Sequence, residues 1–381
     1  MRSEAAPPPQ LAWLQALRRP ELALEWPLAD WERVVRLARR LRLLARLAEA
    51  LTAAGIDHLV PPRPRRHLLA EQRLSHWRTG AMLWTIERVA ALLADAPYPR
   101  VLLKGSAYLG QSLPIAAGRL PSDLDILIPQ AHLAEAQSRL VAGGWNEVEM
   151  SAHDQHYYRD WGHEVPPMRH PVLLLELDLH HNILPPVART RVDAAALLAR
   201  LQPSQWPGWQ VLSPIDQVLH SAAHLFLDSE LRDRLRDLVD LDGLLRHFGA
   251  DPRFWADLPA RARELGLAEP LALAGHFTTR WLGTPIPADV VRAIEAMGPS
   301  GLRRAGLLAL FAAVLMPVEP DEQASRTQRA AATLVLARYH RQRLPLHLLV
   351  PHLWHKWRGE PEVADVTAPP KAQRKPPIPP P

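Results

Sequence analysis

Apolar residues recur every three to four positions through most of the chain, and the period switches to two over a shorter central stretch. From Asp30 to Ala54, Val34, Leu37, Leu41, Leu44, Leu47 and Leu51 form one stripe, which predicts a single amphipathic helix. A second helix is expected over Arg66 to Ala94. Beyond Pro214 the helical period returns over 215–227, 229–248, 252–265, 270–282, 302–315 and 326–343, the signature of a bundle or array. Between these halves, Val101 to Leu103 reads as a short buried strand. In Ser122 to Ile128, polar Asp123 and Asp125 alternate with Leu124, Ile126 and Ile128. Val172 to His180 is a second such strand, with Glu176, Asp178 and His180 on one face, and Trp145 to Met150 a further one. Helices are expected from Gly105 onward and over Ala131 to Ala142, the latter ended by Gly143-Gly144.

The expected fold class is therefore α+β: a small mixed β-sheet core flanked by helices, with a mainly α-helical C-terminal half. The expected divisions are a disordered N-terminus at 1–10, a helical region at 11–96, a sheet-bearing catalytic core at 97–212, a helical domain at 213–358 and a disordered Pro-rich tail at 359–381. The basic tail from Val366 is a candidate partner-binding segment.

Composition narrows this picture. At 381 residues and 48% apolar content the chain can bury a sizeable core. It has no cysteine, which excludes disulfides, thiolate zinc sites and a cysteine nucleophile. Met1 to Gln10 has no apolar signal-peptide core, and no 18-residue apolar run occurs, so a cytoplasmic protein without a transmembrane segment is expected. The apolar run Gly306 to Met316 is too short to span a bilayer and reads as a buried helix. The net charge of +5 rests largely on arginines dispersed along helices (Arg33, Arg36, Arg39, Arg40, Arg42 and Arg46), which read as a solvated face more readily than a nucleic-acid surface. Positive potential would also suit a triphosphate.

The chemistry concentrates in Leu103-Lys104-Gly105-Ser106 and in Arg119-Leu-Pro-Ser122-Asp123-Leu-Asp125. Two carboxylates on one strand face repel unless a cation lies between them. Magnesium is commonly held by a few carboxylates together with substrate phosphates. At the start of a helix, Gly105 and Ser106 could offer backbone N–H groups and a hydroxyl to phosphate oxygens. Arg119 and Ser122, just ahead of the aspartate strand, could hold a triphosphate. Lys104 either reaches a phosphate or is a solvated strand-end lysine. Each motif has a plainer reading too: an ordinary turn for Gly-Ser, a solvated strand edge for Asp-x-Asp, packing for His180 and His181. His220 and His224 lie one turn apart without an evident third ligand. Arg232, Arg236, Asp237 and Asp240 read as a surface ion-pair row or as cleft residues. His153, His156, Tyr157 and Tyr158 form either a substrate-facing loop or ordinary packing.

Gly-Ser, then Asp-x-Asp, then a later carboxylate on a neighbouring strand resembles the nucleotidyltransferase superfamily that includes DNA polymerase beta and the aminoglycoside nucleotidyltransferases. The fuller pattern, with Asp178-Leu-His180 and a helical C-terminal half, resembles the bacterial uncharacterised nucleotidyltransferase family proteins over roughly residues 60–250. The resemblance implies that Asp123, Asp125 and Asp178 are the catalytic carboxylates and ligate Mg2+, in a two-metal site. Asp178 is favoured over Glu176 because it fits the Asp-Leu-His position. Lys104, Gly105, Ser106, Arg119 and Ser122 become nucleotide-binding candidates. The implied reaction moves a nucleoside monophosphate from ATP or another nucleoside triphosphate to a hydroxyl-type acceptor, a small molecule or protein in preference to nucleic acid. The alternative is a catalytically idle, antitoxin-like binding protein on the same fold. The stretch from Ser106 to Asp123 is longer than in compact members, so Pro114, Gly118 and Pro121 are expected in an added loop.

Overall fold

A computed structural model describes residues 8–151, 155, 158, 161–228, 231–345, 347–350 and 354. Helices α1 (Leu28–Arg40), α2 (Leu44–Ala53) and α3 (Pro62–Leu92) precede β1 (Val101–Leu102), α4 (Lys104–Leu109), β2 (Asp123–Leu127) and α5 (Leu133–Ala142). Strands β3 (Asn146–Glu147), β4 (Met168–Arg169) and β5 (Glu176–His180) follow, then α6 (Ala194–Leu198), β6 (Gln202–Pro203) and β7 (Gln210–Val211). The remainder is helical: α7 (Pro214–Phe226), α8 (Leu235–Phe248), α9 (Pro252–Glu264), α10 (Ala268–Leu282), α11 (Ala288–Met297), α12 (Gly301–Leu315) and α13 (Arg326–Arg343). The class is α+β with a helical majority, as the periodicity predicts. No described helix is long and apolar enough to cross a membrane.

The seven strands form one mixed sheet in the order β3-β4-β5-β2-β1-β7-β6. β2 pairs parallel with β5 and antiparallel with β1, so the aspartate strand is covered along both edges. Leu124, Ile126, Leu177 and Leu179 are fully buried on the face opposite the carboxylates, and this apolar face locks the strands against slipping by one residue. Only Glu176 to His180 of the expected second strand pairs, and Trp145 to Met150 contracts to two residues. Strands β4, β6 and β7, two residues each, are too short to show a period of two, and α11 was likewise not anticipated.

The expected 30–54 helix is two helices. Leu43 N–H bonds Ala38 C=O at 2.7 Å and Arg42 N–H bonds Arg39 C=O at 3.0 Å, a Schellman closure with Arg42 in the left-handed region at φ 55°. A non-glycine residue there costs about 1–2 kcal/mol. The turn lets α2 bury Leu44, Ala45, Arg46, Leu47, Ala48 and Leu51, a set that wraps most of its circumference. No glycine marks this corner, and the apolar stripe runs through it, so the sequence carried no stop signal.

The added loop between Ser106 and Asp123 is pinned onto α2. Gly118 has φ +66°, and a Cβ there would stand 2.6 Å from the Arg46 Cα, so both space and backbone demand glycine. Arg46 Nη2 donates to Ile115 C=O at 2.8 Å and also to Asp240 of α8. One buried guanidinium thus ties the N-terminal helices, the loop and the helical half together.

Candidate functional site

The parallel register sets Asp125 level with Asp178, Asp123 level with Glu176 and Leu127 level with His180. Because side chains alternate along a strand, Asp123, Asp125, Asp178 and His180 share one face. Asp125 is buried and accepts hydrogen bonds from Lys104 Nζ at 2.7 Å and His180 Nε2 at 3.0 Å. Glu164 Oε2 lies 3.1 Å from His180 Nδ1, and the His163 ring sits 5.4 Å from that of His180. Lys104, Asp125, His180 and Glu164 therefore form a row of alternating charge. Asp123 accepts from the Ser122 hydroxyl at 2.8 Å.

The electrostatics separate the two neighbouring carboxylates. Burial alone would raise Asp125, but the Lys104 ammonium and the His180 imidazole outweigh it and hold the carboxyl well below the usual range. Asp178 has no hydrogen-bonded counter-ion among the described residues: burial, then the Asp125 charge beside it, push it up to about 8 against the lowering effect of His180. Burial works against the His180 cation, yet Glu164 and Asp125 raise it on balance. Lys104 is likewise raised, its desolvation exceeded by the Asp125 and Asp123 charges. Asp125, Asp178 and His180 bring one ligand atom each to within 4.8 Å of one another, as do His163, Glu164 and His180. Asp123, expected as a third ligand, belongs to neither group found among the described residues, and two carboxylates and an imidazole are a donor set that a divalent cation could take.

These groups floor a cavity of about 1050 Å³. Its walls come from the α1–α2 corner, from α7 and α8, from the segment at Ile183 to Thr190, and from the end of α13. Ligand pockets usually enclose about 300–1,000 Å³, so this one lies at the upper end of that range.

Lys104, Arg119, Ser122, Asp123, Asp125 and Asp178 all line that cavity. Glu176 does not; it is bound by Arg169 Nε at 2.6 Å on the exposed side. Gly105 and Ser106 also lie outside it. A Cβ on Gly105 would stand 2.0 Å from Arg119 Nη1, so the glycine makes room for that guanidinium. Ser106 is 1% exposed, and its hydroxyl donates to Leu103 C=O at 2.7 Å. The helix start that was expected to face phosphate is tucked beneath β1 and β2. Lys104 is not the solvated strand-end lysine: it starts α4 with a left-handed φ of 47°, is turned onto Asp125 and lines the cavity. Arg119 Nε donates to Asp240 at 3.2 Å, and its guanidinium lies 5.6 Å from the Tyr108 ring centre.

Asp237 and Asp240 are buried at the cavity edge, so the cleft reading describes them and the surface-row reading does not. His181 bonds Gly162 C=O at 3.2 Å instead of facing the site. His220 is buried and pushed down to about 3 by burial, then by the Lys104 and His180 charges. His220 and His224 belong to neither ligand group found among the described residues. Tyr158 lines the cavity, whereas His153, His156 and Tyr157 lie outside the described residues, as does the Pro-rich tail. Sequence reasoning missed His163, Glu164 and Arg42. The first two sit on a segment without apolar period, and the third looked like one more helical arginine.

A family model described as an uncharacterised nucleotidyltransferase matches residues 27–283, from α1 through α10, and includes every residue of the Lys104–Asp125–His180–Glu164 row. The chain belongs to that family. As a nucleotidyltransferase family member it is, at the coarse level, a transferase, and nucleotidyl transfer implies a nucleoside triphosphate substrate. The family region is wider than the stretch over which the motifs alone carried the resemblance, and it includes the Arg42 corner and Asp240. Helix α13 lies outside it yet closes one side of this nucleotidyltransferase's cavity. No curated protein and no solved structure matches the chain.

Proposed function

We propose that this protein transfers a nucleoside monophosphate from a nucleoside triphosphate, ATP first, to a hydroxyl-bearing acceptor with release of pyrophosphate. The observation that carries this reading is the β2–β5 register, which sets Asp178 beside Asp125 on the cavity floor. Asp123, Asp125 and Asp178 would hold magnesium. A divalent cation held there would supply charge neutralisation to the transferred phosphoryl group. The remaining work falls to the chain. The acceptor oxygen forms a bond to the α-phosphorus as the bond to the β-phosphate oxygen breaks, and the hydroxyl proton passes to Asp178 once Asp178 has lost the proton it holds in the metal-free protein. Lys104 and His180 keep Asp125 ionised throughout. The acceptor is assigned to the side walled by Ile183, Leu184, Leu336 and Tyr339, an apolar surface partly supplied from outside the family region and suited to a small molecule or a protein side chain.

Thermal stability with ATP, GTP, CTP and UTP, with and without magnesium, tests this. A triphosphate shift that magnesium enlarges, with the magnesium-dependent part absent in Asp123→Asn and Asp178→Asn, is expected. Equal shifts in wild type and variants would remove the basis of the reading. The idle-binding alternative draws on one observation: Lys104 and His180 already satisfy Asp125 without a metal. It would show as nucleotide binding with no pyrophosphate released for any acceptor.

A further inference from the structure

Five arginines lie on α1 and at its corner with α2, and four of them are neutralised. Arg33 pairs with Glu319 at 3.0 Å, Arg36 with Asp321 at 2.6 Å, Arg39 with Glu71 at 2.6 Å and Arg40 with Asp233 at 3.3 Å. Arg42 pairs with nothing among the described residues, although it stands in the cavity wall. It also occupies the one position of the Schellman turn that glycine fills without strain. The backbone gains nothing from arginine there, so a reason for the residue has to be sought in its side chain.

Arg236, on α8, lines the same cavity. Its Nε donates to Asp237 at 3.1 Å, while its Nη1 is buried without a hydrogen-bond partner. Arg42 feels Arg236 and Arg78 as like charges and Asp123 as an opposing one. Arg42, which is exposed, and the half-buried Arg236 therefore line the same cavity as Asp123 and act on each other as like charges. Like charges gathered in a cavity are stabilised by an anion between them, and a guanidinium fork matches phosphate oxygens in pairs.

We propose that Arg42 and Arg236 form a polyphosphate clamp that holds the β- and γ-phosphates of the donor nucleotide and then the pyrophosphate product. The inference deepens the transfer reading above and rests on it for the identity of the ligand. It places the polyphosphate against the N-terminal helices and α8, and it leaves Gly105 and Ser106 to their structural work. Pyrophosphate lying there keeps the donor's α-phosphorus toward Asp123 and Asp125, with its leaving group pointed away from the apolar wall.

The test is titration calorimetry with sodium pyrophosphate in EDTA at low salt, on wild type, Arg42→Gly, Arg42→Gln and Arg236→Gln. Wild type should bind without metal, more weakly as salt rises, and each variant should bind at least tenfold more weakly. Arg42→Gly should melt no lower than wild type, since glycine relieves the turn, so lost binding there cannot be lost folding. Unchanged affinity in the arginine variants, or no binding by wild type, overturns the clamp. A phosphomonoester such as glycerol phosphate that competes at Arg42 where pyrophosphate does not would move the site to a phosphorylated acceptor and overturn the donor assignment. If pyrophosphate binding falls in the variants while ATP binding by wild type ignores magnesium, the clamp stands and the transfer reading fails.

Discussion

Asp216 in the helical half and Asp178 in the sheet are both acids drawn out of water, yet they are treated in opposite ways. Asp216, 0% exposed, is gripped by Arg261 through Nε at 2.8 Å and Nη2 at 2.9 Å. Asp240 is met by Arg46 and by Arg119, and Asp242 by Arg18, Arg246 and the Thr284 hydroxyl. Burial alone would raise Asp240, and the two guanidiniums more than reverse it. Asp178 receives no guanidinium and keeps its proton to about pH 8. Among the described residues, buried Asp216, Asp237, Asp240 and Asp242 of the helical half each meet a guanidinium, whereas Asp178 on the cavity floor meets none. The difference separates acids that hold the structure together from an acid positioned for a cation or a proton.

The sharpest way to break the comparison is to remove a counter-ion. Arg261→Met strands Asp216 in the interior and should cost about 3–5 kcal/mol, read as a fall in the urea midpoint. Asp178→Asn should leave the metal-free fold as stable as wild type or more so; a comparable loss there would erase the distinction. Next comes ligand linkage. At a free ligand concentration about 100-fold above Kd, magnesium and triphosphate together should stabilise wild type by about 2.7 kcal/mol. Asp123→Asn and Asp178→Asn should abolish the magnesium-dependent part of that gain in a thermal-shift titration.

The pH dependence of the metal-free protein carries opposite signs for the two kinds of acid. The folded pKa of Asp178 lies above its unfolded value, so from about pH 4 to 8 the folded state binds the extra proton and stability falls as pH rises, by up to about 1.4 kcal/mol per unit. Asp240 is shifted down, and its contribution is lost as pH falls below the ordinary carboxylate range. Denaturation midpoints from pH 3 to 9 should flatten above pH 4 in Asp178→Asn; an unchanged profile would mean that Asp178 ionises normally. The smallest expected effect is that of Ser106→Ala. Loss of its bond to Leu103 C=O should cost about 0.5–1.5 kcal/mol of stability and leave triphosphate affinity in place.

Much of the fold was legible because amphipathic stripes are local. The helical half, the α3 span and the alternation in β2 and β5 all follow from residues within a few positions of each other. The break at Arg42 was hidden because its Schellman turn uses arginine where glycine is the usual signal. Ser106 was misplaced because a hydroxyl at a helix start serves a phosphate or its own first turn equally well, and only its burial decides. Arg119, read as a triphosphate ligand, lines the cavity and is also paired with Asp240, 121 positions away.

The sequence by itself determined that Asp123 and Asp125 share a face, that Glu176, Asp178 and His180 share another, and that apolar residues anchor both strands from behind. Those facts depend only on the two-residue repeat of an extended chain. Tertiary structure decided the rest. The β2–β5 register placed Asp178, and not Glu176, at the side of Asp125. The left-handed turn at Lys104 supplied Asp125 with its counter-ion. Helices from both ends of the chain closed the cavity and turned Arg42 and Arg236 into it. Register, counter-ions and enclosure are relations between segments far apart in sequence, and a local pattern does not encode them.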